Sequence, residues 1–281
     1  MNNMGCNAPP PGYHEIMLQE NYDENYNQSK YLKIKNLIEK YEIAPLFSEK
    51  LEILKDFEIV LLLDDSGSMN TPLNDGSTHM TRWDELKSVV NIVISITSIY
   101  DSDGIDIYFL NRRNYSNVKS LDEVSTILDN PPQGLTPLTR CLDTIFSDYN
   151  NSLKPVLVII ATDGVPYNGV CDLHNFKNLL KNRNYNKFYI SFLACSDQES
   201  DIGYLNDLDK NIPNVDTLDD YHSERKEVLS VQGTHFSYTF GDHVVRLLLG
   251  PICSELDKLD EINISNNRNK KKGTKCNCVL L

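Results

Sequence analysis

Five residues of this chain carry the groups with the most chemistry to offer: Asp64, Ser66, Ser68, Thr136 and Asp163. Asp64 ends the apolar run Ile59 to Leu63, and Ser66 and Ser68 follow it at alternate positions with Gly67 between them. Thr136 lies in Gly134-Leu135-Thr136-Pro137, and Asp163 in Thr162-Asp163-Gly164, directly after a second apolar run, Val156 to Ala161. All five are hard oxygen donors. Three hydroxyls and two carboxylates suit Mg²⁺ or Mn²⁺, and with so few direct charges such an ion keeps bound waters and one open position.

For these groups to meet, the runs before them must be neighbouring strands. Apolar runs of this length, Phe57 to Leu63 (unbroken from Ile59) and Val156 to Ala161, read as buried strands of a parallel sheet. Phe188 to Ala194 reads as a third buried strand, Ile105 to Leu110 as an alternating one, and Val215 to Leu218 as a short last one. Helical periodicity separates them. Thr81 and Asp84 form a capping pair ahead of a helix with Trp83, Leu86, Val89, Val90, Ile92, Val93 and Ile96 on a broad inward face. Further helices are expected from Leu121 to Leu128, after Pro137 with Thr136 as N-cap, from Asp172 to Lys181, around Ile202 to Leu208, and from Val244 to Leu259 with a kink at Gly250-Pro251. The alternation predicts an α/β fold: a doubly wound, mostly parallel sheet with helices on both faces. In such a sheet ligands bind at the carboxyl ends of the strands.

The expected organisation is an N-terminal arm over 1–28, a helical extension over 29–56 on the rim of the domain, the α/β domain over 57–260, and a basic tail over 261–281. The arm contains Ala8-Pro9-Pro10-Pro11-Gly12, which enters neither helix nor central strand, and its composition reads as loosely attached chain. The formal net charge of −13 argues against nucleic acid as a partner. Seven cysteines without a C-x-x-C pair, and no apolar leader stretch near the N-terminus, fit a reducing compartment better than a disulfide framework. Asp65 reads as a surface acid and His79 as an ordinary loop histidine.

The Asp64-Asp65-Ser66-Gly67-Ser68 segment, the Thr136 loop and the Asp163 loop together resemble the von Willebrand factor type A domain and its metal-ion-dependent adhesion site. The likeness runs in order and spacing over 57–260. It implies that Ser66, Ser68 and Thr136 contact the metal directly, that Asp64 and Asp163 act largely through bound water, and that an acidic residue of a partner protein fills the open position. The long segment Asn70 to Met80 departs from compact members of that family. A non-enzymatic binding module is therefore expected. The alternatives are a Mg²⁺-dependent hydrolase, which needs a general acid where Ser66 stands, and a scaffold whose site stays empty. No G-x-G-x-x-G, P-loop or G-x-S-x-G stretch is present.

The chain ends Cys278-Val279-Leu280-Leu281, a C-a-a-X sequence whose final leucine selects geranylgeranyl. Arg268, Lys270, Lys271, Lys272 and Lys275 precede it with no acid after Glu261, and Cys276 is a candidate for palmitoylation. The tail resembles those of small Ras-like GTPases. One lipid chain binds a membrane only marginally, so the basic residues would be the second signal toward an anionic surface, at about 1 kcal/mol each. The expected location is the cytoplasmic face of a membrane, with a cytosolic pool. Cys278→Ser is expected to move the protein into the cytosol. Replacing the five basic residues by Gln is expected to weaken vesicle binding and flatten its salt dependence while leaving prenylation intact. Mass spectrometry of protein from its native cell checks the modification: a terminus that still carries Val279 to Leu281 rules it out.

Overall fold

Alternation along the apolar strands divides the interior into two layers. Ile59, Leu61 and Leu63 face one side of the sheet, while Val60 and Leu62 face the other, as the two-residue period of a strand dictates. The computed structural model describes residues 28–73, 80–196 and 198–263. Residues 1–27 of the N-terminal arm, His79, and the tail from 264 with Arg268, Lys270, Lys271, Lys272, Lys275, Cys276 and Cys278 lie outside the described residues.

The strands are β1 (Glu58–Leu63), β2 (Ile105–Phe109), β3 (Tyr115–Val118), β4 (Val156–Thr162), β5 (Phe188–Ala194) and β6 (Val215–Leu218). They form one six-stranded sheet in the order β3-β2-β1-β4-β5-β6. All pairs are parallel except β2 with β3. The helices are α1 over 28–41, α2 (Pro45–Ser48), α3 (Arg82–Tyr100), α4 (Ser125–Leu128), α5 (Leu138–Asp148), α6 (Leu173–Asn182), α7 (Glu199–Asn211), α8 (Tyr221–Gln232), α9 (Phe240–Leu249) and α10 (Ser254–Asp257). Residues of α1, α2, α3, α8 and α9 cover one face of the sheet, and residues of α5, α6 and α7 cover the other. The expected doubly wound α/β architecture is therefore observed. Among the described residues no helix is long and apolar enough to cross a membrane.

The strand order reverses between β1 and β4. The chain passes from β1 outward to β2 and β3, then returns to lay β4 on the other side of β1. At such a point the two following loops diverge to opposite faces and leave a crevice at the carboxyl ends of the strands. Asp64 follows β1 and Asp163 follows β4, so both line that crevice.

Several local expectations are corrected. The segment before β1 is not on the rim. Phe47, Leu51 and Leu54 are fully buried in the same core as α3 and α9, each contributing about 2 kcal/mol of apolar burial. Ala44 N donates to Asp242 Oδ1 at 2.7 Å, clamping this segment to the first turn of α9. Gly241 permits that approach, because a Cβ there would lie 2.1 Å from the Tyr41 carbonyl oxygen. Val244 to Leu259 is not one kinked helix. α9 ends at Leu249, and only the short α10 follows. Pro251 has no N–H to continue the ladder, and Gly250 is pressed against the Asp216 carboxylate. The Leu121 to Leu128 helix is a 3₁₀ turn, Leu121–Glu123, followed by α4. Within the expected helical extension over 29–56, the segment after Ser48 is likewise a 3₁₀ turn, Leu51–Asp56.

α9 also buries His243 among the rings of Tyr221, Tyr238 and Phe240. Burial, reinforced by the Arg246 charge, lowers its pKa to about 3. The unfolded chain takes up this proton near pH 6.5 and the native one does not. The stability His243 contributes is therefore complete above pH 6.5 and is lost as pH falls toward 3. Asp64 and Glu224, both raised to about 7, act in the opposite sense, so the informative quantity is a difference between variants. His243→Phe is expected to remove about 2 to 3 kcal/mol of acid destabilisation between pH 7 and 4.5. Urea unfolding of both proteins across that range measures it, and parallel profiles would refute it.

Candidate metal centre

The two carboxylates come from strand ends that the sheet holds side by side, since Leu63 pairs in register with Ala161. Asp64 is wholly buried, and Asp163 is 2% exposed. Asp64 Oδ1 accepts from Ser66 N at 2.9 Å and Oδ2 from Thr162 Oγ1 at 2.7 Å. Ser66 Oγ and Ser68 Oγ lie 3.1 Å apart, and Ser68 Oγ donates to Asp163 Oδ1 at 2.8 Å. The 3₁₀ turn Gly67–Asn70 that follows Ser66 brings Ser68 back over the strand ends. Four of the five expected donors therefore form one continuous group.

Thr136 arrives on a separate loop that is stitched to both others. Gly67 N donates to Gly134 O at 3.3 Å and Gln133 N to Asp65 O at 2.7 Å. Thr136 and Tyr167 exchange backbone hydrogen bonds of 3.1 and 2.8 Å, which ties the loop to the segment after Asp163. Thr136 is not the N-cap of α5. Pro137 holds that position, without a side-chain hydrogen bond, because the Thr136 backbone is engaged by Tyr167 in an extended pairing. Its hydroxyl makes no hydrogen bond to any described residue and is free to be a ligand.

Asp65 is the clearest correction at the site. It is not a surface acid but fully buried. Asn111 N and Nδ2 donate to its Oδ1 at 2.8 and 3.1 Å, and Arg112 Nε pairs with Oδ2 at 3.0 Å. Arg112 also donates to the carbonyls of Ile127 and Pro131, both at 2.6 Å, and stacks over Trp83 at 5.3 Å. Asp65 thus points away from the crevice and braces the chain leading to Thr136. Gly134 completes the brace. Its φ is +119°, and a Cβ there would meet the Asn111 side chain at 2.5 Å, so only glycine fits.

Arg82 was not foreseen as a site residue. Its Nη1 lies 2.8 Å from Asp163 Oδ2 and its Nη2 2.9 Å from Ser196 Oγ, both contacts buried. A signal existed: the Thr81–Asp84 capping box puts Arg82 at the first position of α3, where the helix dipole disfavours a cation. Burial, and next the charge of Asp163, push Asp64 up to about 7, against the hydrogen bonds from Ser66 and Thr162. Burial also raises Asp65, against its bonds from Asn111 and the Arg112 charge.

The residues present fit a hard divalent cation. The donors are carboxylate and hydroxyl oxygens, Thr136 offers a hydroxyl that no described residue engages, and the wholly buried Asp64 carboxylate has hydrogen bonds but no cation paired with it among the described residues. No family model and no curated protein matches the chain. Among solved structures it is similar to the PilB minor pilin from Streptococcus sanguinis, at 13% identity and a TM-score of 0.44, over 74% of this chain and 63% of that one. It is also similar to the D319A mutant of that pilin, at 12% identity and a TM-score of 0.44, over 72% and 62%. The chain thus spans less than two thirds of the length of these proteins.

Asp65→Ala would strand the Arg112 guanidinium, whose side chain is 11% exposed. A loss of about 3 to 5 kcal/mol is expected, measured by chemical denaturation without added metal. A loss below about 1 kcal/mol would be the behaviour of a surface acid.

Proposed function

We propose that this chain is a von Willebrand factor type A domain acting as a metal-dependent protein-binding module. Mg²⁺ or Mn²⁺ would be held by Ser66, Ser68 and Thr136, with Asp64 and Asp163 behind them. The observation that carries the reading is the joining of three loops, distant in sequence, into one oxygen-lined group at the crevice between β1 and β4. The ion supplies an electrophilic position open to a carboxylate, so the partner would present an acidic residue. The protein's own part is to hold the oxygens fixed.

The surroundings favour docking rather than turnover. Leu135, Tyr167 and Val170 are exposed apolar side chains on the Thr136 loop and the segment bridged to it. Apolar side chains around a charged centre are what a protein interface needs beside its anchor. Asp64, the residue that would serve a hydrolase as nucleophile, has both oxygens engaged and no exposure. The membrane placement expected from Cys278 and the basic tail is a separate proposal, tested by its own variants.

Mn²⁺ at about a hundred times its Kd is expected to stabilise the domain by about 2.7 kcal/mol. In calorimetry Thr136→Ala and Asp64→Ala are expected to weaken binding at least tenfold. Equal affinity in all three proteins would remove these residues from the site. Absence of any Mn²⁺ effect on the wild type would leave a scaffold. Capture of a partner should be abolished by chelator at a temperature where the domain remains folded.

A further inference from the structure

We propose that Arg82 is a built-in counter-cation that holds metal affinity down and keeps the bound ion short of negative charge, so that an added carboxylate completes it. This rests on the metal-site reading above. The Arg82 side chain is 6% exposed and that of Asp163 is wholly buried, with 2.8 Å between them. The residue is fixed at both ends. Arg82 N donates to Thr71 O at 3.0 Å, the capping box sets the start of α3, and Nη2 is anchored on Ser196 Oγ at 2.9 Å. Asp84 and Glu85 lie in the same helical turn. The Arg82 guanidinium nevertheless reaches Asp163, 81 positions away.

The charge balance follows. The crevice has two carboxylates, and Arg82 neutralises one of them. A divalent ion bound there meets one uncompensated carboxylate, Asp64, and neutral hydroxyls, which leaves about one unit of positive charge for a ligand to neutralise. The guanidinium also repels the ion directly, through a buried path where screening is weak. Without Arg82, two carboxylates would match the ion, so it would bind more tightly and draw a further acid less strongly.

The test is Mn²⁺ calorimetry on four full-length proteins: wild type, R82Q, D163N and R82Q/D163N. Expected results are binding at least tenfold tighter in R82Q, at least tenfold weaker in D163N, and within about threefold of wild type in the double variant, whose net charge at the site is unchanged. Thermal unfolding in chelator and in Mn²⁺ accompanies each titration, and Mn²⁺ should raise the melting temperature of R82Q by more than that of wild type. If R82Q does not fold, the double variant, with a neutral pair in place of the ion pair, decides: affinity near wild type supports the proposal and a loss of tenfold or more overturns it. Wild type that takes up Mn²⁺ no less tightly than R82Q overturns the role of Arg82 alone. Wild type with no Mn²⁺ uptake overturns the metal-site reading as well.

Discussion

Two carboxylates at the ends of adjacent buried strands repel one another, and most of the polar structure at the carboxyl edge of the sheet answers that repulsion. Asp64 and Asp163 are both shielded from water, so their charges are weakly screened. Each is surrounded by donors: Ser66 N and Thr162 Oγ1 for Asp64, Ser68 Oγ and Arg82 for Asp163. Even so, Asp64 holds its proton up to about 7. Hydrogen bonds satisfy the Asp64 oxygens without cancelling its charge, whereas Arg82 neutralises Asp163. An arrangement of this kind is costly in a site with no function, since apolar residues of similar size would pack as well or better. It sits at the point where the strand order reverses, the place where sheets of this kind bind ligands.

The brace behind the site explains how loops hold such a group still. Asp65, one residue along from Asp64, turns its carboxylate to the opposite side and takes up Asn111 and Arg112. Arg112 then ties down the carbonyls before Pro132 and stacks on Trp83 of α3. The two adjacent aspartates thus do different work: one faces the crevice, and the other fixes the loop that delivers Thr136. Alternation along the end of a strand sends neighbouring side chains to opposite sides, so the division follows from the backbone.

The strands and the donors were legible because both are local. Ile59 to Leu63 and Val156 to Ala161 are apolar without a break, Phe188 to Ala194 is broken only by Ser191, and the residue types that follow β1 and β4 announce themselves. The failures have a common physical origin. The burial of Asp65 depends on Arg112, the role of Arg82 depends on Asp163, and the immersion of Phe47, Leu51 and Leu54 depends on α9, none of which a short window of sequence contains. β3 escaped notice because Tyr115–Val118 is a half-exposed edge strand with little apolar pattern. α8 escaped notice because, of its apolar residues, only Val228 is fully buried. Thr136 was misread as a cap because Thr before Pro is a good cap in isolation, whereas the pairing with Tyr167 claims its backbone.

The contrast between the inside and the outside of the crevice bears on how a partner would be selected. Inside, Asp163 and Asp65 are ion-paired and Asp64 is held by hydrogen bonds, so an arriving ion would demand little reorganisation, and preorganised oxygens act at little entropic cost. Outside, Leu135 and Tyr167 flank Thr136 with apolar surface exposed to water. An acidic residue alone would gain only one coordination bond at such a centre, and many acids would compete for it. An acidic residue carried beside an apolar side chain would gain that bond together with burial against Leu135 and Tyr167, at about 25 cal/mol per Å² covered. Selectivity would then reside in the loops bordering the ion, and the ion would fix the register in which they are read.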